Sequence, residues 1–115
     1  MKKINIIKKN EDYNRIIRNI KPYKYHNFII YLERIDDPIY HFGFSIGKKI
    51  GNAVTRNRLK RQIKSILDEK NYQNGFNCII MVKKTVLEQS FQDMRTDLLK
   101  LVENLEIIKE KCDEK

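Results

Sequence analysis

Six cations fall within fourteen residues of this chain: Lys48, Lys49, Arg56, Arg58, Lys60 and Arg61, with no acid among them. Lys64 follows, and the next acid is Asp68. Arginine forks hold phosphate oxygens bidentately and lysine acts as a point charge. The cluster therefore suits a dense array of phosphates. Asn57, between two arginines, both donates and accepts, which suits a sugar hydroxyl, a base edge or a phosphate. The bland alternative is a solvated helix face, but such faces interleave acids at i, i+4 spacing. Here the charges repel one another unless a polyanion binds. A membrane-surface helix is a second alternative. Against it, the apolar stripe of Leu59, Ile63, Ile66 and Leu67 has the size that a sheet would bury.

Tyr13, Tyr23, Tyr25, Tyr31 and Tyr40 lie in the same basic half. Aromatics among positive charges can stack on unpaired bases, each stack worth about 1–3 kcal/mol. Core packing accounts for most of them. Tyr31 is the better stacking candidate because it points away from the Phe28, Ile30 and Leu32 face. Tyr13 joins it if the first helix lies along the sheet edge.

Catalytic chemistry finds no constellation. His26 and His41 have no metal-ligand spacing to each other or to acids. Asp36 and Asp37 precede Pro38 and read as turn residues. Ser45 lacks a nucleophile-elbow pattern. A phosphate-loop reading of Gly43, Gly47 and Lys48 fails on spacing, and Lys49 stands where a metal-holding hydroxyl would be needed. No protein catalytic residue is expected, and no protein metal site.

The elements that must position the cluster follow from periodicity. Residues 1–9 read as extended. Asn10 reads as a helix N-cap, with Glu11 and Asp12 in the first turn. Tyr13, Ile16, Ile17 and Ile20 give that helix an apolar face, and Pro22 ends it near Ile20. Residues 27–33 and 39–46 read as strands joined in a hairpin across the Asp36-Asp37-Pro38 turn. In the second of these, Phe42, Phe44 and Ile46 share one face. Gly43 and Ser45 leave the other face shallow, with room for a ligand. A loop bracketed by Gly47 and Gly51 leads into a helix over residues 53–69. Its polar side carries Asn57, Arg58, Arg61, Lys64 and Ser65. Asn74-Gly75 is a turn. Residues 77–83 carry the nearly continuous apolar run Cys78-Ile79-Ile80-Met81-Val82 and read as a central strand. Ser90 and Asp93 resemble a capping box. A long helix then runs through Phe91, Met94, Leu98, Leu101, Val102, Leu105 and Ile108.

This order defines an α+β class, one sheet with helices packed on it. The 115 residues suit a single domain, with an ordered core of about 4–108 and a charged tail over 109–115. The net charge is +9 and is uneven. Residues 1–64 carry 16 Lys/Arg against 5 Asp/Glu, whereas residues 65–115 carry 8 against 10. RNA, DNA or an anionic membrane fits such a face. Cys78 reads as a buried small hydrophobe and Cys112 as a free thiol, which fits a reducing cytoplasm. Lys8 and Lys9 cut short any signal-peptide core, and no run reaches transmembrane length. A cytoplasmic protein without a membrane partner is expected.

The run Gly43-Phe44-Ser45-Ile46, then Lys48-Lys49-Ile50-Gly51-Asn52-Ala53-Val54, then Arg56-Asn57-Arg58-Leu59-Lys60-Arg61 resembles the signature of the bacterial ribonuclease P protein component. So does Ile7-Lys8-Lys9-Asn10-Glu11-Asp12-Tyr13 near the start. The resemblance covers roughly residues 4–108. It implies a ribosomal-protein-like fold ordered αβββαβα, with a left-handed βαβ crossover. It also implies an accessory subunit of an RNA-catalysed endoribonuclease that matures the 5′ end of tRNA. Magnesium would be bound mainly by the RNA subunit and substrate, and no small-molecule cofactor is implied. The partners implied are the ribonuclease P RNA and precursor tRNA. By this resemblance Lys48, Lys49, Arg56, Asn57, Arg58, Lys60, Arg61 and Lys64 bind the RNA subunit. Tyr13, Ile17 and Tyr31 line a groove for the single-stranded leader. The sequence departs from the family pattern at Ile17, which replaces a frequent aromatic, and at Ile20, which replaces a helix-ending glycine. A ribosomal or RNA-chaperone protein of similar fold is the alternative reading. A stand-alone metal-dependent nuclease would need an acid cluster that the sequence lacks.

Overall fold

The computed structural model describes residues 1–109. Its elements are α1 (Asn10–Asn19), β1 (Tyr23–Tyr25), β2 (Phe28–Arg34), β3 (Tyr40–Ser45), α2 (Ala53–Leu67), β4 (Phe76–Val82) and α3 (Phe91–Asn104). The order is the expected αβββαβα. Cys112 and most of the charged tail lie outside the described residues.

The sheet order is β1-β2-β4-β3, which corrects the expected hairpin between β2 and β3. β2 makes its hairpin with β1 instead, Tyr25 opposite Phe28. β4 inserts between β2 and β3, antiparallel to the first and parallel to the second. The cause is β4 itself. Cys78, Ile79 and Ile80 are all buried, so this strand needs neighbours on both edges and cover on both faces. The chain from β2 to β3 therefore passes across the start of β4 and is pinned there. The Ile35 amide donates to the Gly75 carbonyl, and the Gly75 amide donates to the Ile39 carbonyl. Gly75 has φ +84°, and a Cβ there would lie 2.8 Å from the Ile35 carbonyl oxygen, so glycine is required. β3, α2 and β4 form a βαβ unit, which carries the basic helix back over the sheet.

Alternation sorts the sheet into two faces. Phe28, Ile30, Phe42, Phe76, Cys78 and Ile80 pack beneath α2 and α3 in the larger core. The α2 stripe of Leu59, Ile63, Ile66 and Leu67 is buried there as expected. Leu98, Leu101 and Val102 of α3 complete it. The opposite face is covered by α1 in a smaller cluster, Ile7, Ile16 and Ile79, with Tyr13, Ile17, Ile20, Tyr31 and Met81 around it.

Several local expectations are corrected. Asn10 is the first helical residue, and the capping position falls on Lys9, which makes no side-chain cap. Lys3–Asn5 form a 3₁₀ turn within the segment expected to be extended. Of the expected capping box, the Ser90 half is present: its hydroxyl accepts from the Asp93 amide. α3 ends at Asn104. Glu106 at φ +58° turns the chain, so Ile107 is buried and Ile108 bridges Tyr72. Phe91 lies off the buried stripe.

The shallow patch at Gly43 is also filled. The Tyr13 ring stands on Gly43, and a Cβ there would lie 2.9 Å from the ring and its hydroxyl. Gly43→Ala should therefore destabilise the fold by roughly 1–3 kcal/mol, as overpacking does. Urea denaturation measures this, and an unchanged midpoint would show that the ring yields freely.

Candidate nucleic-acid interface

The basic helix is placed by its cap and its stripe. The Asn52 side chain accepts from the Thr55 amide at 2.9 Å and starts α2. Buried Ile50 anchors the preceding 3₁₀ turn and leaves Lys48 and Lys49 exposed. Asn57, Arg58 and Arg61 are exposed along the helix crest. Arg56 folds back, its Nε donating to the Gly51 carbonyl at 3.2 Å. The first turn of α2 holds no acid, so cations sit at the positive end of the helix dipole. That arrangement is unfavourable alone and favours a phosphate near the helix start.

Ion pairs among the described residues join Arg15 to Glu33, Arg95 to Glu69 and the Met1 ammonium to Asp68. None uses a cation of residues 48–64. The positive charge of α2 is therefore uncompensated within the described residues.

A groove of about 640 Å³ runs between α1, the segment before it, the end of β3 and one flank of α2. Tyr13, Asn14 and Ile17 form its α1 wall, and Ser45, Lys60 and Lys64 face them. The Lys64 Nζ lies 5.7 Å from the Phe44 ring centroid, within cation–π range. Tyr13 is half-buried and fixed. Its hydroxyl donates to the Ile7 carbonyl and accepts from the Phe44 amide, both at 3.1 Å. Burial pushes its phenol pKa up, and the Phe44 hydrogen bond opposes that rise.

The expected site residues thus separate. Tyr13 and Ile17 line the groove, whereas Tyr31 packs in the neighbouring α1-side cluster outside the wall. Lys60 and Lys64, grouped by sequence with the crest arginines, turn toward the groove. Ser45, on the strand face expected to leave room for a ligand, lines the groove, and Asn10 and Asn14 are lining residues that sequence reasoning missed. The signal for both was present: Asn10, Asn14 and Ile17 share one helix flank at i, i+4 and i+7. His41 lies on β3 with its Nδ1 buried and without a hydrogen-bond partner among the described residues, and His26 occupies the β1–β2 turn at φ +53°. Among the described residues, no group of three or more His, Cys, Asp or Glu is placed to hold a metal. Burial pushes the Cys78 thiol pKa far up, so that residue behaves as a packed hydrophobe.

Together these features define a single-sheet α+β protein with an unneutralised cationic helix beside a polar and aromatic groove. The family model described as Ribonuclease P matches residues 1–106. The chain belongs to the ribonuclease P protein family, whose enzyme is a tRNA-processing ribonucleoprotein nuclease. It is 40% identical over 108 residues to the ribonuclease P protein component of Mycoplasma mycoides, covering 91% of this chain and 99% of that one. It is 32% identical to that of Bacillus cereus over 102 residues, covering 86% of this chain and 89% of that one. Among solved structures, the RNase P protein of Staphylococcus aureus superposes with a TM-score of 0.79 at 23% identity, over 91% of this chain and 98% of that one. The Thermotoga maritima protein gives 0.76 at 21%, over 87% and 96%. These structural likenesses carry the fold.

A titratable contact also ties α1 to the sheet. Arg15 hydrogen-bonds both Glu33 carboxylate oxygens, and the Asn77 amide donates to Glu33 at 2.9 Å. The Arg15 hydrogen bond holds the Glu33 carboxyl below the usual range, partial burial opposes this, and Asn77 adds to the lowering. The resulting stabilisation is fully present above the unfolded value of about 4.3 and is lost as pH falls through the lower folded value. Carboxyl NMR titration should show Glu33 depressed, and Arg15→Gln should raise it. A Glu33 titration unaffected by that change would remove Arg15 as the cause.

Proposed function

We propose that this chain is the accessory subunit of an RNA-catalysed ribonuclease P. It binds the catalytic RNA and the 5′ leader of precursor tRNA, and so promotes endonucleolytic maturation of the tRNA 5′ end. The observation that carries this reading is the uncompensated α2 crest beside a groove that takes two of that helix's lysines.

The geometry supports a division of labour. Lys48, Lys49, Asn57, Arg58 and Arg61 are exposed and suit the phosphates of a structured RNA. Arg56 braces the loop before α2 and presents the remainder of its guanidinium. Lys60 and Lys64 hold phosphates of an unpaired strand in the groove, against Ile17 and the polar edges of Asn14 and Ser45. Tyr31 extends the apolar surface beside it. Tyr13 acts mainly by shaping the wall, because its hydroxyl is engaged and its ring covers Gly43.

Magnesium, bound by the RNA subunit and substrate, supplies the Lewis-acid chemistry of phosphodiester hydrolysis. The protein's own residues neutralise phosphates and fix the leader relative to the RNA, which lowers the cost of positioning. Among the described residues, no helix is long and apolar enough to cross a membrane. A cytoplasmic location accords with the reading.

Two outcomes are expected. With the RNA subunit present, precursor tRNA should bind more tightly than mature tRNA, and Lys64→Ala should shrink that difference. Equal affinities would sink the leader assignment and favour a ribosomal or chaperone role. Arg58→Ala and Arg61→Ala should weaken RNA-subunit binding and flatten its salt dependence by roughly one unit per lost phosphate contact. Unchanged slopes in both would return the crest to an ordinary solvated face.

A further inference from the structure

On the flank of α2 opposite the leader groove lies a second, smaller cavity of about 200 Å³. Helical residues advance by about 100° each, so Arg58 and Gln62 face away from Lys60 and Lys64. Arg58 and Gln62 form one wall of this cavity. Leu87, from the Lys84–Glu88 turn, and Phe91, at the start of α3, form another. Leu87 and Phe91 are each 40% exposed, although their neighbours Val86 and Met94 are buried. Val54, 75% exposed, precedes Arg58 by one helical turn. Apolar side chains left open at the rim of a cationic surface mark a binding surface.

Gln89 also lines this cavity. Its Nε2 donates to the Asp97 carboxylate at 2.7 Å, which fixes the amide's orientation. Its Oε1 is then buried without a hydrogen-bond partner among the described residues. A buried acceptor without a donor is costly, and each such atom calls for an explanation.

Resting on the function proposed above, we propose that this cavity receives one unpaired nucleobase of the RNA subunit. A base has the matching chemistry. Its flat faces lie against Phe91 and Leu87, its polar edge meets Gln62, and an N–H at that edge supplies the donor that Gln89 Oε1 lacks. Arg58, which makes no ion pair among the described residues, holds the adjoining phosphate. The cavity is continuous with the crest that faces structured RNA, and α2 separates it from the leader groove. Its occupant therefore belongs to the RNA subunit. The contact would fix the register of the protein on the RNA, which the phosphate contacts of the crest leave loosely defined.

The chain has no tryptophan, so Phe91→Trp creates a unique reporter that keeps an aromatic face. Binding of a matched bacterial ribonuclease P RNA should quench that tryptophan and leave affinity near that of the unaltered protein. Phe91→Ala should bind roughly tenfold more weakly with an unchanged salt slope, because a stack is lost and no phosphate contact. Unquenched emission at saturating RNA, or a Phe91→Ala variant that binds normally, would overturn the assignment. Quenching by precursor tRNA alone would overturn it too, by moving the base to the substrate. If the unaltered protein failed to bind the RNA subunit at all, the proposed function would fall, and this site with it.

Discussion

The Tyr13 hydroxyl joins three segments at one point. It donates to the carbonyl of Ile7, in the segment before α1, and accepts from the amide of Phe44 on β3. Its ring rests on Gly43, where no larger residue fits. β3 is an edge strand whose outer side is only partly paired, through Ile6 and Ile7. The Phe44 amide would otherwise be an orphan donor at that edge. The residue that satisfies it also holds α1 over the sheet and sets the depth of the groove. Arg15 and Glu33 add a second tie between α1 and the sheet.

α2 works under the opposite constraint. One side is fully committed to the larger core, through Leu59, Ile63, Ile66 and Leu67. The other side concentrates charge that nothing among the described residues neutralises. Packing must therefore hold the helix against its own repulsion. A rigid helix with unspent charge is what polyanion binding requires, since little reorganisation accompanies the contact. The same helix serves two flanks, lysines toward the groove and Arg58 with Gln62 toward the smaller cavity.

Much of this was legible in the sequence. The α2 stripe, the central position of β4 and the Ser90 cap follow from periodicity and composition. The order of elements was legible apart from β1, but the pairing of strands was not. The Asp36-Asp37-Pro38 signal marks a turn without saying whether it closes a hairpin or spans a third strand. That is decided by β4, about forty residues later, whose apolar run demands two neighbours. For the same reason Gly43 read as open space: the residue that fills it, Tyr13, lies thirty positions away. Lys60 and Lys64 were recognised as cations, but that they line the groove could not be read, because their flank has meaning only once α1 is placed. Strand alternation gave Tyr31 its correct sheet face, but not the limit of α1's cover.

The central claim is that the protein binds and the RNA cleaves. Cleavage of a labelled precursor tRNA at low magnesium tests it most directly, with protein alone, the matched ribonuclease P RNA alone, and the two together. The account predicts cleavage at the mature 5′ end only in the combined sample. No gain over the RNA alone, or magnesium-dependent cleavage by the protein alone, would contradict it.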